Sequence, residues 1–231
     1  MIHLDNLSFQ YPDGYCAIKN LTAQIDSNTC IGIIGANGAG KSTLLQLLVG
    51  ILLPQTGTIE IDTLKVEKKT LSKIRSKIGI VFQNPDDQLF TTSVYEDIAF
   101  GLRNQGMKED EINQKVHHVL NLLEIPQIID KAPYKLSGGE KKRASIAAIL
   151  AMEPEILLFD EPSAFLDPKS RRDLIQTLRN IPLTKIIASH DLDLVAKLCD
   201  KVMLLSYGSS AAFGGTIEIL SNQQLLLNCG L

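Results

Sequence analysis

Hydrophobic and polar positions along the 231-residue chain follow two alternating patterns. Short runs rich in β-branched residues are typical of strands buried on both faces of a parallel sheet. Between these runs, apolar residues recur at helical spacing. The alternation predicts a doubly wound α/β fold. The predicted strands are Ile31–Gly35, Ile78–Gln83, Ile156–Asp160, Lys185–His190 and Lys201–Leu205, and the predicted helices are Ser42–Val49, Lys141–Ala151 and Arg171–Asn180.

The N-terminal part of the chain departs from this alternation. There, apolar and polar residues alternate in short runs that turn residues separate, a pattern typical of antiparallel strands. The runs are Ile2–Gln10, Ala17–Ile25 and Thr58–Asp62. We therefore expect a small, partly antiparallel sheet beside the parallel core.

A second departure lies between Asn84 and Lys135, where the strand pattern stops and helical spacing takes over. This change predicts a helical insertion. The sequence shows no internal repeat and no linker rich in Pro, Gly or Ser. We expect one domain over 1–231, with a core of residues 1–83 and 155–231 and a helical subdomain at about 84–154.

Composition and charge narrow the range of functions. Hydrophobic residues make up 45% of the chain and charged residues 21%, as in ordinary globular proteins. The net charge of −3 gives no overall positive field, so we expect no nucleic-acid partner. The longest apolar stretch, Leu44–Leu53, is interrupted and far shorter than the ~20 residues of a membrane-spanning helix. The N-terminus does not resemble a secretory signal and the four cysteines are widely spaced, which favours a cytosolic protein with reduced thiols.

One segment carries the pattern of a phosphate-binding loop, G-x-x-x-x-G-K-[ST], between an apolar strand and an apolar helix. Glycines let several backbone N–H groups converge on a triphosphate, and the helix N-terminus adds its positive dipole end. We expect Lys41 to contact the β- and γ-phosphates, Ser42 to bind Mg²⁺ and Thr43 to support the α-phosphate. The predicted nucleotide-binding residues of this loop are Gly35, Ala36, Asn37, Gly38, Ala39, Gly40, Lys41, Ser42 and Thr43.

Two other predicted strands end in polar residues at the same edge of the sheet. Asp160 and Glu161 follow one of them, where Asp160 is suited to hold Mg²⁺ and Glu161 to orient or polarise the attacking water. The alternative is a solvated turn before Pro162, which the phosphate-binding loop makes the weaker interpretation. His190 ends the other strand and is suited to a hydrogen bond with the γ-phosphate. We expect Glu161 and His190 to be the catalytic residues.

The segment Leu136–Glu140 reads Leu-Ser-Gly-Gly-Glu and precedes a basic helix start. Taken alone, it is a second anion-binding helix N-terminus, or Ser137 is simply an N-cap. Together with the phosphate-binding loop, the Asp-Glu strand end and Ser-His-Asp at 189–191, it makes nearly the whole chain resemble the ATPase subunits of ABC transporters. The resemblance implies a RecA-like P-loop NTPase core with an antiparallel β subdomain and a helical subdomain. It also implies hydrolysis of ATP with Mg²⁺.

The resemblance assigns the Leu-Ser-Gly-Gly-Glu segment a role between two subunits. In the family, this signature segment of one ATPase subunit closes over the ATP held by the other. A second ATPase subunit is therefore implied, in a homodimer or in a heterodimer with a paralogue. The residues that would act on the partner's ATP are Ser137, Gly138, Gly139 and Glu140.

Three single residues receive roles from the same resemblance. Gln83 is similar to the glutamine that links Mg²⁺ to the membrane-facing surface. Asp167 is similar to the D-loop aspartate, a residue that communicates between subunits. Tyr11 stands where the family has an aromatic residue that stacks on adenine, with packing inside the sheet as the alternative.

Within the family, Gln83–Phe90 and Tyr11–Gly14 resemble energy-coupling-factor importers, which take up vitamins or Ni²⁺/Co²⁺. That subgroup implies a transmembrane coupling protein and a small membrane substrate-binding protein as partners. It places the ATPase at the cytoplasmic face of the cell membrane. Two positions depart from the family's pattern: Glu140 replaces the commoner glutamine of the signature segment, and Phe165 replaces a small residue beside Asp167.

Three other functions are weighed against this one. The ATPase of a conventional importer with a soluble binding protein would differ mainly around Asp86–Phe90. A soluble ABC ATPase acting on ribosomes or DNA would usually carry tandem cassettes or a basic coiled-coil insertion, which this sequence does not show. A P-loop kinase would leave the signature segment and His190 without a role.

Overall fold

The computed structural model describes residues 1–231, in which ten strands and nine α-helices follow one another. The strands are β1 Ile2–Gln10, β2 Cys16–Ile25, β3 Cys30–Ile34, β4 Thr56–Ile61, β5 Leu64–Lys65, β6 Ile78–Val81, β7 Ile156–Asp160, β8 Thr184–Ala188, β9 Lys201–Ser206 and β10 Ser209–Gly215. The helices are α1 Lys41–Leu48, α2 Leu71–Lys77, α3 Val94–Asn104, α4 Glu109–Leu122, α5 Gly138–Leu150, α6 Pro168–Asn180, α7 Leu192–Leu198, α8 Thr216–Ser221 and α9 Gln223–Asn228.

The central sheet has six strands in the order β10-β9-β3-β8-β7-β6. Its strands β9, β3, β8, β7 and β6 are parallel, whereas β10 pairs antiparallel with β9 at the edge. Every residue of β3 and β8 is buried, as expected for parallel strands covered on both faces. The predicted α/β fold with a parallel core is confirmed. The antiparallel edge strand was not predicted.

A second sheet has the order β2-β1-β4-β5 and is antiparallel throughout. It is the N-terminal sheet that the sequence predicts. Its apolar face and α1 share one apolar core with one face of the central sheet, in which Leu4, Leu45 and Ile186 are buried. A separate core contains residues of the helices and of the central strands, such as Ile98, Ile146 and Phe159. The central sheet is therefore covered on both faces.

Helices and short helical turns occupy the chain between β6 and β7, and no strand lies there. Ser93 caps α3 by accepting a hydrogen bond from the Glu96 N–H. Arg103 on α3 binds both Glu96 and Glu109, which joins α3 to the start of α4. None of the helices in the protein is long and apolar enough to cross a membrane.

Two helices begin three residues before their predicted starts, because capping residues extend them. Ser137 caps α5, which begins at Gly138 rather than Lys141. Asp167 caps α6 through the N–H groups of Lys169 and Ser170, and Pro168 suits the first helical position.

Two central strands, in contrast, end two residues before the predicted position. β6 ends at Val81 and β8 at Ala188, so Gln83 and His190 lie in the loops that follow. The backbone N–H of His190 donates to Glu161 instead of a strand partner. Both side chains are thus free to turn towards the edge of the sheet.

A methyl group at Gly79 should disturb the contact between β6 and α5. A Cβ there would lie 2.1 Å from Ile149 Cγ2 and 3.4 Å from Pro154 Cγ. We expect Gly79→Ala to lower the free energy of unfolding by about 1–3 kcal/mol, measured by denaturant titration. Gly214→Ala is the control, since its Cβ would meet nothing closer than the flexible Glu218 carboxylate at 3.5 Å and would make only ordinary contacts with Ile219. Equal stability of the two variants would contradict this account.

Candidate active site

The loop between β3 and α1 encloses the buried side chain of Lys41. Gly40 has φ +104°, and a Cβ there would lie 2.3 Å from the Ala17 carbonyl oxygen, so the loop requires glycine at this position. Lys41 is buried, and its Nζ donates to the carbonyl oxygens of Gly35 at 2.7 Å and Ala36 at 3.2 Å. The loop and the start of α1 therefore present a fixed positive charge together with the first N–H groups of a helix.

Ser42 and Asp160 bring two oxygen atoms together at the edge of the central sheet. The Ser42 hydroxyl donates to Asp160 Oδ1 at 3.1 Å. Burial raises the pKa of Asp160, and the hydrogen bond from Ser42 opposes that rise. Mg²⁺ prefers oxygen ligands and is usually held by one or two carboxylates together with substrate phosphates. The donor set therefore fits Mg²⁺, and Gln83, the third predicted ligand, lines one cavity together with Ser42.

Glu161 is buried, with 8% of its surface exposed, and several donors surround its carboxylate. The Ser189 hydroxyl donates to Oε2 at 3.0 Å, and the backbone N–H of His190 donates to Oε1 at 3.1 Å. The His190 ring places Nδ1 2.8 Å from the same Oε2. These contacts hold the carboxylate in one orientation and leave the His190 Nε2 free to face a ligand.

A cavity of about 310 Å³ lies over the phosphate-binding loop. It brings together residues that five separate parts of the chain supply, including the predicted catalytic pair. The lining residues are Tyr15, Asn37, Gly38, Gly40, Lys41, Ser42, Thr43, Gln83, Glu161 and His190. A larger cavity, of about 560 Å³, lies between α4, α5 and α6 and contains no part of the phosphate-binding loop.

Two tyrosines stand beside the cavity over the phosphate-binding loop, and the sequence indicated only one of them. Tyr11 packs edge-on against Phe9 at 5.0 Å between ring centroids, and its hydroxyl lies 3.1 Å from Thr43 Oγ1. Tyr15 stacks on Tyr11 at 6.4 Å, lines the cavity and donates to the Gly38 carbonyl oxygen. The predicted stacking of Tyr11 on adenine stays a prediction. The turn between the two tyrosines, Pro12–Gly14, is the signal that could have indicated that both reach the same loop.

The signature segment is placed elsewhere, at the start of α5. Ser137 and Glu140 form a capping box: the Ser137 hydroxyl accepts from the Glu140 N–H, and the Glu140 carboxylate accepts from the Ser137 N–H. The Ser137 N–H lowers the pKa of Glu140. A Cβ at Gly139 would lie 2.5 Å from Ser170 Oγ, so glycine lets α5 approach α6 closely. Neither this segment nor Asp167 lines the cavity, and their action on a partner's nucleotide stays a prediction.

Phe165 is exposed next to the signature segment. It has 85% of its surface exposed and φ +63°, a backbone conformation that is costly for a bulky residue. Its carbonyl oxygen lies 3.7 Å from the position that a Cβ of Gly138 would occupy. The departure from the family's pattern at this position therefore places a large apolar side chain on the surface that carries the signature segment.

Asp191 ties the loop after β8 to its surroundings. Arg171 on α6 donates to both carboxylate oxygens of Asp191 at 2.6 Å, and the Ser163 hydroxyl donates at 3.0 Å. Burial raises the pKa of Asp191, but the hydrogen bonds from Arg171, the Leu194 N–H and Ser163 outweigh it and lower the pKa to about 2. This network fixes the residue next to His190, and no pattern in the sequence indicated it.

The site combines a loop suited to cradle phosphate with oxygen donors for Mg²⁺, and the carboxyl edge of the parallel sheet carries Asp160 and Glu161. These features define an ATPase of the P-loop class. The family model for ABC transporters matches residues 18–164. The chain belongs to this family and is an ATP-hydrolysing subunit of the ABC transporter type.

Three similar proteins illustrate the relationship. The energy-coupling factor transporter ATP-binding protein EcfA of Methanothermobacter thermautotrophicus is 43% identical over 236 aligned residues, which cover 100% of this chain and 76% of that protein. The solved structure of CbiO1 from Clostridium perfringens, described as part of the ABC transporter complex CbiONQ, has a TM-score of 0.88 and 38% identity over 98% of this chain and 93% of that one. The ATP-binding cassette MJ0796, solved as a dimer bound to ADP and Pi, has a TM-score of 0.84 and 28% identity over 94% of this chain and 99% of that one.

Replacing the Glu161 carboxylate with an amide tests its assignment to the attacking water. We expect Glu161→Gln to bind ATP with nearly unchanged affinity but to lower kcat by at least about a hundredfold, because the amide cannot accept a proton. The measurements are nucleotide binding by fluorescence and phosphate release under saturating ATP. Glu155→Gln is the matched control, because Glu155 precedes β7 whereas Glu161 follows it, and this variant should keep kcat. Unchanged turnover in Glu161→Gln would remove the residue from this role.

The Asp191 network should appear in the pH dependence of stability. A carboxylate with a lowered pKa stabilises the fold fully above its ordinary value of 3.8, and this contribution is lost as the pH falls towards 2. We expect Asp191→Asn to lower the free energy of unfolding by about 2 kcal/mol at pH 7. The difference from wild type should narrow below pH ~4. Denaturant titrations between pH 7 and 3 measure it.

Asp193→Asn is the control for this network. Asp193 also binds Arg171, but its side chain is 56% exposed. We expect a loss of less than about 1 kcal/mol, because water screens an exposed ion pair. A pH-independent loss in Asp191→Asn would contradict the assigned role of its charge.

Proposed function

We propose that the chain is the ATP-hydrolysing motor subunit of an energy-coupling-factor type importer, which powers uptake of a metal ion such as Co²⁺ or Ni²⁺, or of a vitamin. The names of EcfA and CbiO1 among the similar proteins support this subgroup. The proposed partners are a transmembrane coupling protein and a small membrane substrate-binding protein. In this arrangement the chain lies at the cytoplasmic face of the cell membrane.

An exposed aromatic pair is the observation that carries this proposal. Phe90 and Phe100 have 66% and 48% of their surfaces exposed, and their rings meet edge to face at 5.2 Å. Phe90 lies seven residues after Gln83, in the segment whose sequence resembles the energy-coupling-factor subgroup. Asp97 fixes that segment by accepting from the N–H groups of Phe90 and Thr91. Exposed aromatic side chains on a fixed backbone are typical of a protein–protein contact.

Within the site, we assign the hydrolytic work to few side chains. Glu161 orients and polarises the attacking water, since its carboxylate faces the cavity and His190 holds it. Lys41 supplies positive charge to the β- and γ-phosphates, and His190 Nε2 donates towards the γ-phosphate. Ser42, Asp160 and Gln83 would hold Mg²⁺, which neutralises phosphate charge when bound. Thr43 and the loop N–H groups position the remaining phosphates.

ABC ATPases dimerise and work with membrane components, and we propose how this chain does so. Ser137, Gly138, Gly139 and Glu140 close over the nucleotide of a second subunit, and Asp167 communicates between the two. The second subunit is another copy or a paralogue. Phe165 supports this assignment, because it exposes a large apolar surface beside Gly138. The nucleotide core comprises residues 1–83 and 155–231, and the helical subdomain, about 84–154, passes the movement to the membrane partner.

The aromatic pair provides the test of the membrane partnership. We expect the tagged chain, purified from native membranes in mild detergent, to bring down a coupling protein and a small membrane binding protein. Phe90→Ser with Phe100→Ser should weaken this capture by at least about tenfold, because the pair would be the apolar anchor of the contact. The purified double variant should keep its basal ATPase activity, since neither ring lines the nucleotide cavity.

Ile217→Ser is the matched control, because Ile217 is another exposed apolar side chain, on α8 far along the chain from Phe90. It should retain all partners. Recovery of a conventional permease with a soluble binding protein would support the ATPase of a conventional importer instead. Recovery of ribosomal proteins or DNA, without a membrane protein, would favour a soluble ABC ATPase. Either result would overturn the energy-coupling-factor proposal and leave the ATPase assignment in place.

A further inference from the structure

A buried lysine joins the start of α5 to the backbone around Gln83. Lys142 has 1% of its surface exposed, the least of any charged side chain among the buried polar residues. Its Nζ donates to the carbonyl oxygens of Phe82 at 3.0 Å and Gln83 at 2.8 Å. These two carbonyls belong to the first residues after β6, where the chain leaves the central sheet.

The Lys142 ammonium has no carboxylate partner at ion-pair distance. None of the ion pairs in the structure includes it, although it is buried between α5 and β6. Burying a cation without a counter-charge is unfavourable, and an apolar side chain of similar length would avoid the cost. Burial lowers the pKa of Lys142 to about 8, and the charge of Asp160 opposes this fall from beyond ion-pair distance. The two backbone carbonyls are the only hydrogen-bond acceptors of this ammonium group.

Other bonds fasten the same stretch of chain, the Gln83 segment (residues 82–88), to α5. Lys141, the neighbour of Lys142, forms an ion pair with Asp86 at 2.6 Å. Gln88 donates through Nε2 to the Ser145 carbonyl oxygen at 2.7 Å and accepts from the Phe82 N–H at 3.3 Å. The segment is thus held at both ends by the first two turns of α5, the helix that the signature segment opens.

We propose that Lys142 is a positioning residue that fixes the Gln83 segment to α5, so that Gln83 and the signature segment move as one unit. The inference rests on the proposed function in one respect, the role of Gln83 at Mg²⁺. Lys142 does not line the nucleotide cavity and touches no substrate. It acts on how Gln83 is presented to that cavity, through the backbone carbonyls on either side of the Gln83 Cα atom.

Removal of the donors at Lys142 tests the fixation directly, without any nucleotide. We expect Lys142→Met, which keeps the length and loses all N–H donors, to speed amide hydrogen exchange in residues 82–88 by about tenfold or more. Exchange in the phosphate-binding loop and in the N-terminal sheet should stay as in wild type. Lys142→Gln keeps two N–H donors without the charge and should fall between the two. Lys115→Met, on α4 and paired with Glu153, is the matched control and should leave residues 82–88 unchanged.

Kinetics of the same variants distinguish positioning from a general loss of stability. Lys142→Met should lower kcat about tenfold and raise the Mg²⁺ concentration for half-maximal activity by a similar factor, as when a residue behind a metal ligand is removed. The KM for ATP should change little, because Lys41 and its loop are untouched. Lys142→Gln should recover part of kcat. A variant that is only destabilised would instead recover wild-type kinetics at lower temperature.

A double-mutant cycle with Gln83→Ala separates this inference from the proposed function. If both residues act through one arrangement, Lys142→Met should add little to the loss caused by Gln83→Ala. Unchanged kcat and Mg²⁺ dependence in Gln83→Ala would overturn the proposed role of Gln83. A strong effect of Gln83→Ala with wild-type exchange and kcat in Lys142→Met would overturn the role of Lys142. If Lys142→Met does not fold, Lys142→Gln takes its place, and wild-type exchange in residues 82–88 of that variant contradicts the proposal.

Discussion

The carboxylate of Glu161 is almost fully buried, and the need to surround it with donors constrains the whole edge of the central sheet. Removing an ionised carboxylate from water costs several kcal/mol unless hydrogen bonds replace the lost hydration. The donors here are the Ser189 hydroxyl and the His190 N–H, which both follow β8. They reach Glu161 because β7 and β8 are neighbours with Asp160 opposite Ala188. A shift of register by one residue would leave the carboxylate without these partners.

The same sheet order brings the phosphate-binding loop to this carboxylate. β8 lies between β3 and β7, and the Ser189 N–H donates to the Ile33 carbonyl oxygen at 3.0 Å. The loop after β3 therefore ends beside the residues that hold Glu161. Ser42, at the start of α1, then reaches Asp160 at the end of β7. One cavity thus contains the buried positive charge of Lys41 and the buried negative charge of Glu161. The backbone geometry of the three parallel strands β3, β8 and β7 keeps these charges apart and aligned.

What the sequence predicted well is local or follows from strand direction. The phosphate-binding loop is contiguous, and the residues at strand ends meet because parallel strands share one carboxyl edge. The structure places Lys41, Ser42, Glu161 and His190 around one cavity as that argument requires.

The features that the sequence did not indicate depend on contacts between distant parts of the chain. In the sequence, Lys142 is one member of a basic helix start, yet the packing of residues 82–88 buries it. Arg171 on α6 and Asp191, the residue before α7, lie 20 residues apart, and no periodicity reveals their contact. The predicted starts of α5 and α6 lie three residues too far along the chain, because Ser137 and Asp167 act as caps. Single side chains, rather than hydrophobic spacing, determine where these helices begin.

The signature segment shows how a structure of one chain is incomplete as an ATPase. Ser137 and Glu140 satisfy each other in a capping box, while the N–H groups of the first helical turn have no acceptor within the helix. Such an N-terminus attracts an anion, but none of its residues lines the cavity that contains Lys41. The proposed dimer accounts for this N-terminus by supplying the anion from a second subunit, and the similar cassette MJ0796 was solved as a dimer bound to ADP and Pi.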